Sequence, residues 1–215
     1  GTFNSITCTS KNVCSWSDIS ENDIGKGTYS VPAPGCKMKK RINVRVDVTI
    51  EGVSGSYREL QSNRVDNQDV TASQAHRHFE LYSPGKLTLN YLKLTWGEAG
   101  TRTGSGADGG FIKMNDGTLA INFVLFDGTK TTGTHAIGGG CVVVYRGTVT
   151  IKESTFEGFS ATYGGAMFVD KTSTPMTIES TIFKNNEAIV RFNIRWHSLN
   201  LYLSLFFLNI LTKHI

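Results

Sequence analysis

With 215 residues, 23 Gly against 4 Pro and 39% hydrophobic content, the chain fits one ordered domain better than a disordered or two-domain protein. Its 22 Lys and Arg against 18 Asp and Glu give a formal charge of +4, far from the excess expected of a dedicated nucleic-acid binder.

Cys8, Cys14 and Cys36 lie within the first 36 residues and Cys141 stands alone, so at most one local bridge forms without Cys141. Cys8 with Cys14, or Cys14 with Cys36, would suit a secreted protein in an oxidising compartment. Zinc is the weaker reading, because no C-x-x-C spacing occurs and no His lies near the three. The chain opens at Gly1, with no charged n-region ahead of an apolar run, so a signal peptide is not visible and a secreted or cell-surface location is an expectation. No N-x-Ser/Thr acceptor occurs to support it.

The stretch Ser15-Trp16-Ser17-Asp18-Ile19-Ser20-Glu21 predicts a short amphipathic helix capped by Ser15 or Ser17. Its Trp16 and Ile19 would close the open end of a repeat array, so residues 1–26 read as an N-terminal cap. Next comes a basic cluster, Lys37, Lys39, Lys40, Arg41 and Arg45, which is either a solvated face or an attractor for an acidic polysaccharide or a membrane headgroup. His76-x-His78 sets two imidazoles on one face of an extended segment, but with no identifiable third ligand no metal site is assigned.

The dominant signal is internal repetition. Leu87-Thr-Leu89, Leu119-Ala-Ile121, Val149-Thr-Ile151 and Met176-Thr-Ile178 align, and seven positions after the first residue of each stands Leu94, Phe126, Phe156 or Phe183. Gly109-Gly110, Gly139-Gly140 and Gly164-Gly165 each open a second apolar run. Each repeat of roughly 25 to 32 residues therefore carries short strands and turns.

Parity assigns the faces. Ile112, Val142 and Met167 form one all-apolar column and Met114, Val144 and Val169 another, with Lys113, Val143 and Phe168 mixed between them. Thr88, Ala120, Thr150 and Thr177 point outward on the other strand. Cys141 shares parity with Lys113, which places it away from the deep core. Because the same pattern recurs in the same direction, a parallel stack is favoured over an antiparallel sandwich, and Phe126, Phe156 and Phe183 should touch at the strand spacing of roughly 4.8 Å. The expectation is an all-β, right-handed parallel β-helix (β-solenoid) over residues 27–190 with a short N-terminal capping helix.

Beyond Val190 the rhythm stops, and the nearly continuous apolar run from Trp196 to Leu211 falls short of the about 20 residues of a membrane span. Residues 191–215 read as an atypical apolar tail, disordered or non-native, or alternatively as a last strand on the alternation of Leu199, Leu201, Leu203 and Leu205 or a capping helix, and no membrane span is assigned.

Gly164-Gly165-Ala166-Met167 with Phe183-Lys184-Asn185-Asn186 resembles the GGA-[ILV] and F-x-x-N repeats of polymorphic outer-membrane and autotransporter-like surface proteins of the pectin-lyase-like fold. Gly27-Thr28-Tyr29, Val48-Thr49-Ile50-Glu51-Gly52 and Arg77-His78-Phe79 extend the resemblance over roughly residues 27–188. It implies an adhesin-like module or, alternatively, a polysaccharide lyase or glycoside hydrolase. Lyases on this fold hold Ca²⁺ with outward carboxylates and use Arg or Lys as base. Hydrolases of this kind carry N-T-D, D-D, H-G and R-I-K motifs, none of which occurs here.

Outward acids Asp116, Asp127, Glu157 and Asp170, interleaved with Lys113, Arg146, Lys152 and Lys171, read as surface ion pairs such as Asp116 with Arg146. The Thr88, Thr150, Thr177 ladder resembles ice-binding arrays, but its neighbouring column of Lys86, Thr118, Thr148 and Pro175 breaks the lattice. Residues 97–108, 127–138 and 157–163 are read as loops along one edge, where Arg102, Asp108, Lys130, His135 and Tyr163 would contact a polysaccharide or a cell-surface protein. The expectation is thus binding without catalysis and without a cofactor, Ca²⁺ entering only under the lyase alternative, in a chain that would suit a longer repeat array.

Overall fold

Short apolar segments separated by glycine cannot satisfy their backbone groups alone, and here each pairs with its own counterpart one repeat away. The structure is a computed structural model. It describes residues 3–8, 14–16, 19–20, 23–38, 40–62, 77–97, 109–129, 136–170, 175–188 and 203–204. Among them the elements are all strands, gathered in a broad sheet of 13, a narrow sheet of seven and a short sheet of three.

Successive repeats visit these sheets in one order. Ile112–Met114 lies in the narrow sheet, Thr118–Asp127 in the broad one and Ala136–Gly138 in the short one. Val142–Val144, then Thr148–Lys152 with Thr155–Glu157, then Ser160–Tyr163 repeat that circuit. Met167–Val169, then Met176–Glu179 with Ile182–Lys184, then Glu187–Ala188 repeat it again. All pairings between these repeats are parallel and in register. Antiparallel pairs occur near the N-terminus, where Phe3–Cys8 meets Cys14–Trp16 and Ile19–Ser20 meets Asp23–Ile24.

The register stacks like on like. Val48, Leu87, Leu119, Val149 and Met176 form one inward column, and Ile50, Leu89, Ile121, Ile151 and Ile178 the next. Phe126 lies 4.6 Å from Phe156, and Phe156 lies 4.9 Å from Phe183, with rings nearly parallel. Two turns ahead of those legible in sequence join the same stack: Gly27–Ser30 pairs with Asp47–Glu51, and Gly35–Met38 with Arg58–Ser62.

Two corners hold each turn. At the Gly-Gly corner a Cβ on Gly110 would lie 2.5 Å from the Gly140 carbonyl oxygen, and one on Gly140 would lie 2.4 Å from that of Gly165. Side chains would force successive turns apart there. After the Phe strand, Asn186 stitches two turns together: its amide donates to Phe156 O (2.8 Å) and its carbonyl accepts from Phe159 N (2.9 Å). Earlier turns carry Phe159, Thr129 and Gly97 at this position, and the Phe159 ring fills the interior edge-on to Phe111.

Three expectations are corrected. The N-terminal helix is absent: Ser15 and Trp16 belong to the strand Cys14–Trp16, and Ile19 to Ile19–Ser20. Backbone pairing and the Cys14–Cys36 bridge fix an extended chain there, overriding the local capping signal. Cys141 is fully buried, because the bend between Gly140 and Val142 interrupts the alternation from which its side was read. Residues 127–138 and 157–163 are not loops throughout, since Ala136–Gly138 and Ser160–Tyr163 form adjacent strands of the short sheet.

Phe156 is fully buried, whereas Phe183 is packed against the core but only partly covered. Phe156→Ala is expected to cost about 3–5 kcal/mol in urea unfolding, and Phe183→Ala distinctly less. Equal losses would contradict the stacking order.

Candidate binding face

The narrow sheet turns the first and third residues of each strand inward and leaves an outer face of different chemistry. Ile42 and Val44, Phe79 and Leu81, Ile112 and Met114, and Val142 and Val144 are buried, so alternation sets Asn43, Glu80, Lys113, Val143 and Phe168 opposite them. One step past each strand the backbone stays bonded in register, which stacks Arg45, Tyr82, Asn115, Tyr145 and Asp170 in the adjoining column.

Glu80 is the centre of this face and is only 7% exposed. Arg41 Nη1 stands 2.5 Å from its Oε2, and Asn115 Nδ2 donates to its Oε1 at 3.1 Å. The Arg41 contact is a charge contact, for Oε2 has no aligned hydrogen bond. Burial alone would push the Glu80 carboxyl up, but the Tyr82 bond, the charges of Arg77 and Arg41 and the Asn115 bond outweigh it and hold it below the usual carboxylate range. Burial, followed by the bond and charge of Glu80, pushes the Tyr82 phenol up.

Cations lie against rings on either side. The Arg45 guanidinium sits 4.2 Å from the Tyr82 ring centroid, and Lys113 Nζ 5.5 Å from that of Tyr145. Arg45 also approaches Asp23 at 3.6 Å, and Asn43 donates to the same carboxylate at 3.0 Å. Farther along, the rings of Tyr163 and Phe168 stand 6.5 Å apart. Tyr82, Tyr145, Tyr163 and Phe168 are all half-exposed. The face thus lines up aromatic rings, amides and charges, with Glu80 and Val143 buried within it.

The broad sheet's outward acids are engaged differently. Lys93 pairs with Asp127 at 3.3 Å, Lys184 with Glu157 at 2.9 Å, and Lys152 with Glu179 at 2.8 Å. Burial would raise Asp127, but two bonds from Thr129 together with Lys93 hold its carboxyl low. Asp116 does not pair with Arg146 as expected; it turns back to accept from Gly117 N at 2.7 Å, because its own tight turn offers a nearer donor.

Among the other sequence-derived candidates, Arg102, Asp108, Lys130, His135, His76, Lys39 and Lys171 lie outside the described residues. Tyr163 joins Phe168 at the Gly-Gly corner. His78 is fully buried, stacked 4.9 Å from Phe111, and donates from Nε2 to Leu60 O, so that nitrogen is occupied by a structural bond. The basic cluster divides: Lys37 lies on Gly35–Met38 in the broad sheet, while Arg41 and Arg45 flank Ile42–Val44 in the narrow one. Of the two disulfide pairings, the structure has Cys14–Cys36; Cys8 lies opposite Cys14 in the backbone register.

Sequence reading passed over the Glu80 network. Phe79-Glu80-Leu81 carries the same in-out-in pattern as Ile112-Lys113-Met114, and aligning the two would have revealed Glu80. Compared with known proteins, the chain matches no family model, no curated sequence and no solved structure. Among the described residues no helix is long and apolar enough to cross a membrane, and no three His, Cys, Asp or Glu side chains group as a metal site.

The lowered Glu80 value has a defined sign. Its stabilisation is complete above the unfolded glutamate value and is lost as the pH falls through the depressed folded value. Glu80→Gln is expected to lower stability at neutral pH and to flatten the acid limb of the stability curve. An unchanged acid limb would show that the carboxylate is not held by this network.

Proposed function

We propose that the chain is a right-handed parallel β-helix, resembling the surface proteins of the pectin-lyase-like fold, and that it serves as a secreted or cell-surface, adhesin-like module that binds a glycan without turning it over. In this reading residues 1–26 form the cap, 27–190 the coil and 191–215 an atypical apolar tail, of which Leu203–Ser204 pairs with Ile178–Glu179 at the end of the broad sheet. The single observation that carries the glycan reading is the outer face of the narrow sheet, where half-buried Tyr82, Tyr145 and Phe168 interleave with Arg45, Lys113 and Asn115 in the stacked register, with Tyr163 of the short sheet beside Phe168. Rings offer flat apolar area to the C–H face of a sugar, and amides and cations offer bonds to its hydroxyl or carboxylate groups.

Binding is favoured over acid-assisted hydrolysis by how four of the outward carboxylates are held. Glu80, Asp127, Glu157 and Glu179 each contact a cation, and Glu80 and Asp127 are shifted toward ionisation. A general acid needs the opposite shift. The Cys14–Cys36 bridge suits an oxidising compartment.

The protein should bind immobilised members of a panel of neutral and uronate polysaccharides, with and without Ca²⁺, while no absorbance from unsaturated products develops. Tyr145→Ala should weaken binding about tenfold, equivalent to a contact of about 1.4 kcal/mol. Product absorbance abolished by chelation would replace this reading with the lyase alternative, and absence of binding across the panel would remove the glycan reading.

A further inference from the structure

In the broad sheet each turn bends at one residue, and in four successive turns that residue has positive φ: Tyr91 (54°), Phe123 (53°), Glu153 (47°) and Ser180 (47°). The corner accounts for the angle. It does not account for two bulky aromatic residues, side chains ill suited to a left-handed backbone, which recur at only one other described position, Trp96 (61°). Gly52 stands at the same place one turn before Tyr91, as the alignment of Glu51 with Asn90 requires. Gly52 brings no side chain of its own to the Tyr91 end of the aromatic pair, where the Arg58 side chain passes instead.

The Tyr91 and Phe123 rings are half-exposed and stacked, with centroids 4.8 Å apart and planes 10° from parallel. Immediately before them in sequence, Asn90 and Asn122 form a ladder in which Asn122 Nδ2 donates to Asn90 Oδ1 at 2.9 Å. That single bond leaves the Asn90 side-chain nitrogen and the Asn122 side-chain oxygen for an outside partner. The polar column is closed above by the Lys152–Glu179 pair and below by the bond from Ser30 to Glu51. The four residues themselves carry no charge and join half-buried rings to amide groups, with Glu51, Arg58, Lys152 and Glu153 around them, within a corner whose backbone strain the rings increase.

We propose that Tyr91, Phe123, Asn90 and Asn122 form a second, separate binding site, which takes an uncharged pyranose unit of a polysaccharide. The sugar's C–H groups pack on the aromatic pair, and its hydroxyls bond the amide ladder. This site lies on the broad sheet and does not depend on the narrow-sheet face.

The test is calorimetric titration of the full chain with neutral glucan, mannan and galactan hexasaccharides at two salt concentrations, alongside Tyr91→Gly/Phe123→Gly and Asn122→Ala. One hexasaccharide should bind with an affinity insensitive to salt, and each variant should lose about tenfold or more of that affinity. The double-glycine variant removes both rings and relieves both left-handed residues, so its thermal midpoint should stay close to that of the parent. Tyr145→Ala, on the other face, should leave this binding unchanged. The proposal is overturned if none of the three hexasaccharides binds, if binding survives both variants, or if the glycine variant lowers the midpoint as a core truncation does. Loss of this binding in Tyr145→Ala alone would assign the sugar to the narrow-sheet face instead.

Discussion

Parallel, in-register stacking of each repeat on the last is the constraint from which the rest of this structure follows. A slip of one residue would turn Leu119, Ile121 and Phe126 toward solvent together, so the inward columns fix the register jointly. Only the strands need to match from turn to turn. The intervals from Leu89 to Ile121, Ile151 and Ile178 vary because the connecting segments lie outside the matched columns. Gly110 and Gly140 belong to the same constraint, since a side chain at either would meet the carbonyl of the next turn before the strands reached pairing distance.

Once the interior columns are set, the outer faces are free to differ. On the broad sheet the described charges mostly cancel locally, as in Lys93 with Asp127 and Lys184 with Glu157, and such exposed pairs contribute little stability each. On the narrow sheet Glu80 is nearly buried among Arg41, Tyr82 and Asn115, which orders side chains from three turns at once. The proposed function rests on that contrast. A face whose side chains are held in fixed positions loses less conformational freedom on meeting a ligand than one of loose surface charges.

The sequence reveals the later turns because the Leu-x-Leu, Phe and Gly-Gly positions recur with the same residue types. The earlier turns escape it. Tyr29 stands where Ile50 and Leu89 follow, and no Gly-Gly pair marks their corners, so only the backbone pairing discloses the alignment. Cys141 was misplaced because parity holds only within a strand, and it precedes the strand Val142–Val144. The helix read at residues 15–21 failed for a different reason: capping is a local preference, whereas a disulfide at Cys14 and pairing of Ile19 with Ile24 are tertiary constraints. Aligning the repeats reaches Glu80 itself but not its partners, since Arg41, Glu80 and Asn115 meet only after three turns are stacked.

The most direct test of the stack is cross-linking across its outward columns. Ala120 and Thr150 are register partners in adjacent turns, and at a strand spacing of about 4.8 Å their Cα atoms lie within disulfide reach. Ala120 and Lys152 share that face but stand two residues out of register, about 8 Å apart from the same strand geometry. Under mild oxidation the Ala120→Cys/Thr150→Cys variant should form its bridge rapidly and retain its unfolding midpoint, while Ala120→Cys/Lys152→Cys should not. Equal cross-linking of the two pairs, or preference for the second, would contradict in-register parallel stacking and with it the faces on which both proposed sites are built.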